Sequence, residues 1–528
     1  VCIGGNTPDE SYLNAMSVLN VAENEGTDSL HPGIGFLSES ASFAELIRSH
    51  GINFIGPPVS SMETMGNKSN AINTAMALDV PVVPGSHGIL TNAESAAEVA
   101  KQIGYPVLIK AVHGGGGKGI QVVEEASEFV ELFHQVGAEA RSAFGNGDVY
   151  IEKYVTSLRH IEVQLLRDTL GCTKVLGIRD CSVQRDKQKV LEESGSTMLS
   201  AELEEVVVSS TRKIAEQVGY IGVGTVEFIY DLESEAVYFM EMNTRLQVEH
   251  PVTELVSGVE IVGEQFRIAS GESIDSLNEK HNGYAIEVRV TAELIEKNAD
   301  GGLNFKPQPG QIDQCEFPIQ ENIQVISTAA SGKEISPYYD SLLAQVIVHS
   351  DSRDAAIEEL AEYLERVELT GVSTNIPLLK LVLRDQKFRQ GQYDTGYLVE
   401  LLERSDVDQL ISDMLQAAGT SDQGIDRANI LIDGTDELRV LSPSSAIFYS
   451  TPSPSEPDYI NVGDKIGAQT TLCQLEAMKI FSPLKLADFN QTVELYDSST
   501  DYEVTRINIR SGQQVNPGDL LFVIRPVS

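Results

Sequence analysis

The stretch "FMEMNTRLQVEHP", residues 239–251, spaces polar side chains two residues apart. Its five polar positions are Glu241, Asn243, Arg245, Gln247 and Glu249. Alternate residues of an extended chain face the same side, so the spacing predicts one polar face. A solvated edge strand would show the same alternation, but these donor types suit a hard cation beside a planar anion. Glu227 in "GTVEFIY" is the expected further metal ligand, on the preceding strand.

A glycine-rich segment, "IKAVHGGGGKGIQVV" at residues 109–123, predicts a phosphate-binding turn between two strands. Consecutive glycines let backbone N–H groups approach phosphate oxygens closely. The segment is not a Walker A loop, because Ile120 follows Gly119 where that motif needs Lys-Ser/Thr. A mobile loop is the commoner origin of a glycine run. Lys110 before the run and "YIEKYV" after it favour a nucleotide site instead.

One lysine stands between two apolar residues, Met478 and Ile480. Lys479 interrupts "LCQLEAMKIFSPL", which reads as strand, turn and strand. The flanking segments 462–476 and 511–525 resemble each other, so the lysine falls near the junction of two similar halves. A tight turn at that junction would direct a strongly hydrated ammonium group into water. The pattern therefore predicts an exposed lysine with a chemical use.

Composition limits the class of protein. The chain has 528 residues, enough for three or four domains, and 38 basic against 78 acidic residues give a net charge of −40. That charge disfavours binding to nucleic acid or an anionic membrane. Five scattered cysteines without zinc spacing indicate a reducing compartment. The first residues show no signal-peptide pattern. Because Val1 already looks like part of a strand, we expect an N-terminal truncation.

Short strands alternate with helices over the first sixty residues, which predicts a parallel α/β unit. Longer strands and helices continue to about residue 400. An amphipathic helix then ends at Gly419, and the polar segment 419–429 is predicted to be a flexible joint. Beyond it, short strands and turns predict an all-β module.

Several motifs together resemble a known family. "MGNKSNA", "YPVLIKAVHGGGGKG", "RHIEVQ", "RDCSVQRDKQKVLEE" and "EMNTRLQVEHPVTE" resemble biotin carboxylase, an ATP-grasp enzyme, as do "HPGIGFLSE" and "SPYYDSLLA". The segment from "FYSTPSPSEP" to "LEAMKI" resembles biotin carboxyl carrier protein. The resemblance implies an α/β (α+β) ATP-grasp fold with a preceding parallel α/β domain, plus a C-terminal all-β biotinyl/lipoyl hammerhead barrel.

The implied domains follow the motif order. They are an incomplete N-terminal α/β domain (1–65), an ATP-grasp domain (66–265, with a lid at about 82–155), a carboxylase C-terminal domain (266–405), a helix and linker (406–429) and a biotin carrier domain (430–528).

The resemblance also implies roles for individual residues. Those expected to bind ATP are Lys68, Lys110, Gly116, Gly117, Glu152, Lys153, Val155, His160, Lys187, Glu227 and Glu241. Those expected to hold Mg²⁺ or Mn²⁺ are Glu227, Glu241 and Asn243. Bicarbonate would be held by Lys189, Arg245 and Val248, and the catalytic set would be Arg245, Glu249 and Lys189, with Glu249 as general base. Biotin would be attached to Lys479.

One departure from the family pattern is serious. An arginine expected to stabilise the biotin enolate is replaced by Gln324, and no arginine lies between Arg289 and Arg353. Losing a charge-assisted contact costs about 1.5–3 kcal/mol, or roughly ten- to hundredfold in rate. Gln345 likewise stands where the family usually has lysine. We therefore expect ATP cleavage to survive better than biotin carboxylation.

The resulting hypothesis is a biotin-carboxylating ligase, the first half of a cytoplasmic acyl-CoA carboxylase such as that of fatty acid synthesis. Its expected partners are a carboxyltransferase, biotin protein ligase and a second copy of the chain. Two alternatives stay open. The chain is a catalytically weakened or silent ATP-grasp scaffold that presents biotin, or Lys479 carries lipoate.

Overall fold

The computed structural model describes residues 1–86, 88–115, 118–144, 147–185, 187–297, 302–419, 430–432, 437–452, 456–478, 480–488 and 501–527. The chain divides into two compact units. The first comprises Val1–Val21, Ile286–Gln390 and Glu400–Ser528, and the second comprises Ala22–Ala285 and Gly391–Val399.

The elements of the first 285 residues mix helices and strands. The helices are α1 (Ala15–Asn24), α2 (Ala41–Ser49), α3 (Val59–Gly66), α4 (Lys68–Ala77), α5 (Ala93–Ile103), α6 (Phe129–Phe144), α7 (Ala201–Gln217), α8 (His250–Ser257) and α9 (Ile261–Ala269). The strands are β1 (Ser29–Leu30), β2 (Asn53–Phe54), β3 (Val107–Gly115), β4 (Lys118–Val123), β5 (Val149–Lys153), β6 (Leu158–Arg167), β7 (Thr173–Arg185), β8 (Gln188–Ser194), β9 (Gly222–Asp231) and β10 (Ala236–Asn243).

The later part of the chain is richer in strands. Its helices are α10 (Arg353–Leu364), α11 (Ile376–Arg384), α12 (Gln386–Arg389), α13 (Tyr397–Glu403) and α14 (Val407–Ala417). Its strands are β11 (Tyr284–Thr291), β12 (Glu293–Lys297), β13 (Leu303–Pro307), β14 (Gly310–Gln311), β15 (Gln314–Glu316), β16 (Ile323–Ser327), β17 (Glu334–Ile335), β18 (Leu342–Ser350), β19 (Glu368–Thr370), β20 (Ile430–Ile432), β21 (Leu438–Leu441), β22 (Ala446–Tyr449), β23 (Lys465–Ile466), β24 (Thr471–Ala477), β25 (Ile480–Lys485), β26 (Tyr502–Ile507), β27 (Gln514–Val515) and β28 (Leu520–Pro526).

An antiparallel sheet forms the centre of the second unit, with strands in the order β10-β9-β6-β7-β8. Apolar residues that alternate along β6, such as Ile161 and Val163, join a buried cluster with residues of α4 and α7, such as Ala75 and Val207. The helices therefore cover one face of the sheet. The residues of β6 that alternate with these apolar residues point to the other face of the sheet, which can therefore carry polar groups.

Two smaller sheets complete this unit. β1 and β2 form a parallel pair near its N-terminal end, as the α/β pattern predicted. β4, β3 and β5 form an antiparallel sheet whose apolar side chains, Val107 and Ile151 among them, pack with Ala96 of α5 and Phe133 of α6. The segment predicted to be the lid thus has a hydrophobic core of its own.

In the first unit, β11, β18 and β16 lie side by side, and Gln324 on β16 faces Ile347 on β18 in the register. The short pairs are β12 with β13, β14 with β17 and β15 with β19. No described helix combines the length and apolar character needed to cross a membrane.

Residues 430–527, the C-terminal module, form two sheets, β20-β21-β28-β26-β23 and β25-β24-β22-β27. The module has two halves, β21–β24 and β25–β28, whose strands correspond in chain order (β21 to β25, β22 to β26, β23 to β27 and β24 to β28). If each strand of the order β21-β28-β26-β23 is replaced by its counterpart in the other half, the order β25-β24-β22-β27 results. The two sheets are therefore equivalent, which explains the sequence repeat. The repeat glycines Gly463 and Gly512 both have positive φ, at 96° and 84°. Lys479 lies outside the described residues; Ala477, the last residue of β24, pairs with Ile480, the first residue of β25.

Candidate active site

Carboxylates line up across the polar face of the central sheet. On β6, His160, Glu162 and Gln164 alternate with the apolar residues of the core. The strand register places Glu162 opposite Glu227 on β9, and Glu227 opposite Glu241 on β10. Directly opposed side chains lie on the same face of a sheet. Three carboxylates from three neighbouring strands are thus brought together.

The prediction that one extended strand carries the five polar residues 241, 243, 245, 247 and 249 is wrong. β10 ends at Asn243, and Glu249 occupies the N-cap position of α8. Pro251 accounts for the change, because proline fits the first turn of a helix and fixes its start. The turn nevertheless folds Gln247 back until its Nε2 lies 2.9 Å from Glu227 Oε1.

Glu227 is the centre of the cluster. Its Oε1 accepts hydrogen bonds from Asn243 Nδ2 (2.5 Å) and Gln247 Nε2 (2.9 Å), and its Oε2 lies 2.9 Å from His160 Nε2. Burial opposes ionisation, but the hydrogen bond and charge of His160 and the charge of Lys189 outweigh it, lowering the pKa of Glu227 to about 2. The carboxylate is therefore ionised at neutral pH.

Lys189 lies among three carboxylates. Its Nζ is 2.6 Å from Glu249 Oε1, is hydrogen-bonded to Glu162 and is 3.7 Å from Glu227 Oε1. Burial lowers the pKa of Lys189, but the charges of Glu162 and Glu249 more than reverse this and leave it well above its usual value. The ammonium group is therefore a permanent charge in the site, able to attract an anion.

Sequence reasoning missed the buried residues that support this cluster. Arg179 on β7 is fully buried and donates hydrogen bonds to Glu162 (3.0 Å), Gln164 (2.9 Å), Gln247 (2.9 Å) and Thr253 (2.8 Å). The available signal was the polar residues that alternate with apolar ones in "RHIEVQ", together with the arginine of "GIRDC". Through these hydrogen bonds Arg179 orients the side chains of Glu162 and Gln247 in the cluster.

Arg245 borders the same region. Its Nε lies 3.1 Å from Glu39 Oε2, and its Nη2 donates to Asn243 Oδ1 at 3.2 Å. Glu39 belongs to "HPGIGFLSE", where sequence reasoning gave no individual role. Val248 lies in the turn between Arg245 and α8 and is partly buried. The guanidinium is thus positioned by an ion pair with Glu39 and a hydrogen bond to Asn243.

The lysines predicted to contact phosphates are ion-paired. The Asn67 side chain caps α4, so Lys68 starts that helix, and its Nζ lies 3.7 Å from Glu241 Oε2. Lys110 on β3 hydrogen-bonds Glu152 on β5. Lys68 thus lies beside Glu241 of the cluster, whereas Lys110 lies on the three-stranded sheet β4-β3-β5.

The remaining predicted nucleotide residues are more varied. Lys153 Nζ lies 2.7 Å from Asp231 Oδ2. The hydrogen bond to that carboxylate raises the pKa of Lys153. Val155 is buried, whereas Lys187 is exposed in the β7–β8 turn with φ of +67°. Gly116 and Gly117 lie outside the described residues. His160 is held from both sides, since Gln184 Nε2 donates to its Nδ1 at 2.8 Å.

The donor atoms suit a divalent cation. Ligand atoms of His160, Glu162 and Glu227 all lie within 4.8 Å of one another. Of the predicted ligands, Glu227 and Glu241 oppose each other in the sheet, and Asn243 follows on the same face. Asn243 directs its amide nitrogen at Glu227, so it would offer oxygen to a metal only after the amide turns over. Hard carboxylate and amide oxygens are the ligands that Mg²⁺ prefers.

The site therefore combines a cluster of carboxylates, the buried cations Arg179 and Lys189, and two further lysines paired with carboxylates. Groups of this kind can hold a divalent cation beside an anion. Comparison with known families specifies the class. Residues 67–277 match the ATP binding domain of the carbamoyl-phosphate synthase L chain. Residues 1–62 and 287–400 match the N-terminal and C-terminal domains of biotin carboxylase.

Individual relatives agree. Biotin carboxylase 1 of Bacillus subtilis (strain 168) is 45% identical over 399 residues, which cover 75% of this chain and 87% of the relative. The 2-oxoglutarate carboxylase small subunit of Hydrogenobacter thermophilus is 44% identical over 398 residues, covering 75% of this chain and 83% of that subunit. The chain belongs to the biotin carboxylase family.

Solved structures confirm the ATP-grasp carboxylase fold. The biotin carboxylase domain dimer of the Hydrogenobacter thermophilus enzyme, in complex with MgADP, ADP and bicarbonate, gives a TM-score of 0.67 at 44% identity, covering 75% of this chain and 86% of that one. The biotin carboxylase–beta-gamma-ATP complex from Campylobacter jejuni gives 0.68 at 39% identity, covering 76% and 88%.

Proposed function

We propose that the chain uses ATP and bicarbonate to carboxylate biotin carried on its own Lys479, the first half-reaction of an acyl-CoA carboxylase. The observation that carries the proposal is the placement of Lys189 Nζ against Glu249 and beside Glu227. This geometry joins a base, an anion-binding cation and a metal ligand within one buried cluster. Family membership and the nucleotide- and bicarbonate-bound relative support it.

Glu227, Glu241 and Asn243 would hold Mg²⁺ or Mn²⁺. The metal offsets negative charge on the nucleotide phosphates when bound. Lys68 and Lys110 reach phosphate oxygens by leaving their present carboxylate partners. Gly116 and Gly117 close over the phosphates, and Glu152, Lys153, Val155, His160 and Lys187 border the nucleoside. Such fixed charges favour phosphoryl transfer by complementing the charge that spreads over the transferred group.

Lys189, Arg245 and the backbone of Val248 would hold bicarbonate. Glu249 accepts the bicarbonate proton, and the resulting oxygen attacks the γ-phosphorus while ADP leaves with the bond electrons. The carboxyphosphate product separates into CO₂ and phosphate. With biotin attached to Lys479, phosphate would take a ureido proton and the ureido nitrogen would bond to the carbon of CO₂. Closure of the segment near 82–155 would keep water away from the labile intermediate.

Two features of the C-terminal module support the proposal that a cofactor is attached to Lys479. They are its two equivalent halves and the pairing of Ala477 with Ile480. We place it at 430–528, after carboxylase domains at 1–65, 66–265 and 266–405 and a linker at 406–429. Lipoate is the competing cofactor. Intact mass of the protein expressed with each ligase decides between them, because the two adducts differ in mass; an unmodified lysine contradicts both.

Bicarbonate-stimulated release of phosphate from ATP tests the carboxylase function itself. Bicarbonate stimulation that is lost in Lys189→Ala would support the carboxylase function. No stimulation in the native chain would favour the alternative, a silent scaffold that only presents biotin. Gln324 favours that second candidate, since it is exposed on β16 and supplies no positive charge.

We propose that the carboxyl group passes to an acyl-CoA, which a carboxyltransferase partner in the cytoplasm selects. Relatives include a 2-oxoglutarate carboxylase subunit and a pyruvate carboxylase subunit, so 2-oxo acids are the competing acceptors. Copurified carboxyltransferase, assayed with acetyl-CoA, propionyl-CoA and pyruvate, distinguishes them. The proposed partners also include a second copy of the chain and biotin protein ligase. The dimer of the biotin carboxylase domain from Hydrogenobacter thermophilus supports the proposed homodimer.

A further inference from the structure

The hairpin loop beside Lys479 is covered by another part of the first unit. Met478 has a φ of +52° and is only 2% exposed, although the buried cluster inside the module does not include it. Its backbone N–H donates to the carbonyl oxygen of Pro337 at 2.7 Å. Pro337 is itself buried. A loop from outside the module therefore packs on the tip of this hairpin.

A second contact fixes the orientation of the module. The Tyr338 hydroxyl donates to Gln514 Oε1 at 2.5 Å. Gln514 lies on β27, the edge strand farthest from β25 in the four-stranded sheet, whereas Met478 follows β24. The register aligns Gln514 with Ile447, and Ile447 with Glu476. Two contacts separated across one sheet oppose rotation of the module about either of them.

The loop is braced from behind by the N-terminal segment. Tyr339 Oη lies 3.2 Å from Ser11 Oγ, and the Tyr339 and Tyr12 rings meet edge to face with centroids 6.0 Å apart. Ser11 and Tyr12 therefore hold Tyr339, the neighbour of Tyr338 in the loop.

We propose that the loop 336–339, braced by residues 11 and 12, is a docking site for this chain's own C-terminal module. The docked state covers the hairpin next to Lys479 and holds the module on the chain that carries it. Its importance rests on the proposed function, in which Lys479 bears biotin. A backbone hydrogen bond and a neutral side-chain hydrogen bond each contribute little net free energy in water. Docking is therefore reversible, as a module that visits a second enzyme requires.

Hydrogen exchange of the full-length protein tests docking without any cofactor. Gln514→Ala removes the acceptor of Tyr338, and we expect the peptide containing Met478 to exchange about two- to tenfold faster. Gln469→Ala, at another exposed glutamine of the module, is the matched control and should leave exchange unchanged. Peptides from β28 report the module's own stability and should not change in either variant.

A double-mutant cycle isolates the pair. Tyr338→Phe should accelerate the same peptide as Gln514→Ala, and the double variant should exchange no faster than either single variant. Equal exchange in Gln514→Ala and Gln469→Ala, or full additivity in the double variant, would overturn the docking proposal. An unmodified Lys479 in the intact mass would overturn biotin attachment instead, so the two failures are distinguished.

Discussion

Replacing Glu249 by glutamine tests the assignment of the general base. The side chain is 2% exposed, and its Oε1 lies 2.6 Å from Lys189 Nζ. Glutamine keeps an oxygen acceptor for Lys189 but cannot take the bicarbonate proton. Proton transfer by a positioned base contributes about 10²- to 10⁴-fold in rate, which is about 3–5 kcal/mol in the barrier.

The cost in stability is smaller. A charge-assisted hydrogen bond contributes about 1.5–3 kcal/mol and a neutral one about 0.5–1.5 kcal/mol, so the substitution loses about 1 kcal/mol. Weaker repulsion between residue 249 and the carboxylates of Glu162 and Glu227 offsets part of this loss. For a unit of this size, 1 kcal/mol lowers the melting temperature by about 2–4 °C. Catalysis and folding are therefore affected on separable scales.

The assay is bicarbonate-dependent ADP formation at saturating MgATP, with calorimetric MgADP binding and thermal unfolding measured on the same preparations. We expect a loss of at least a hundredfold in rate with nearly unchanged MgADP affinity. Glu216→Gln, an exposed substitution on α7, is the matched control. Retention of more than a third of the rate in Glu249→Gln would refute the assignment of the base.

Three further outcomes follow from the site. Glu227→Gln should raise the Mg²⁺ concentration for half-maximal ATP cleavage more than tenfold, whereas an unchanged requirement would remove Glu227 from the metal site. Folding lowers the pKa of Glu227 from 4.5 to about 2. Ionised Glu227 therefore stabilises the fold by about 3 kcal/mol above pH 5, and this stabilisation is lost as the pH falls toward 2. The difference in melting temperature between the native protein and Glu227→Gln should narrow over that range, and a constant difference would contradict this pH dependence. Gln324→Arg should raise carboxylation of free biotin about tenfold or more without changing bicarbonate-dependent ATP cleavage, and an equal carboxylation rate would show that the missing charge is unimportant.

The sequence predicted the sheet elements better than the geometry of the site. The strands in the central part of the chain, β6 and β9 among them, and the repeated module all depend on local pattern, and all appear in the structure. The error at residues 245–249 arose because period-two alternation continues through a turn by chance. The His-Pro pair at 250–251 was the local signal of a helix start that would have ended the strand at Asn243.

The support of the cluster could not be predicted in the same way. Arg179 and Glu162 meet only through the β6–β7 register, and Glu39 reaches Arg245 from more than 200 residues away along the chain. Sequence spacing does not specify such pairings, because they depend on how strands are ordered in the sheet. A buried charge inside an apolar strand is nevertheless a signal, since it requires a partner.

The ion pairs of the site explain how it can receive highly charged substrates. Each lysine expected to contact an anion already has a carboxylate partner: Lys68 with Glu241, Lys110 with Glu152, and Lys189 with Glu249. In the proposed function one of these pairs would exchange partners when a metal–nucleotide binds, with a phosphate taking Lys68 and the cation taking Glu241. Neither charge of that pair would then lose its counter-charge. Lys189, the most buried of the three lysines, is held in place before binding, so less conformational entropy is lost there when an anion arrives.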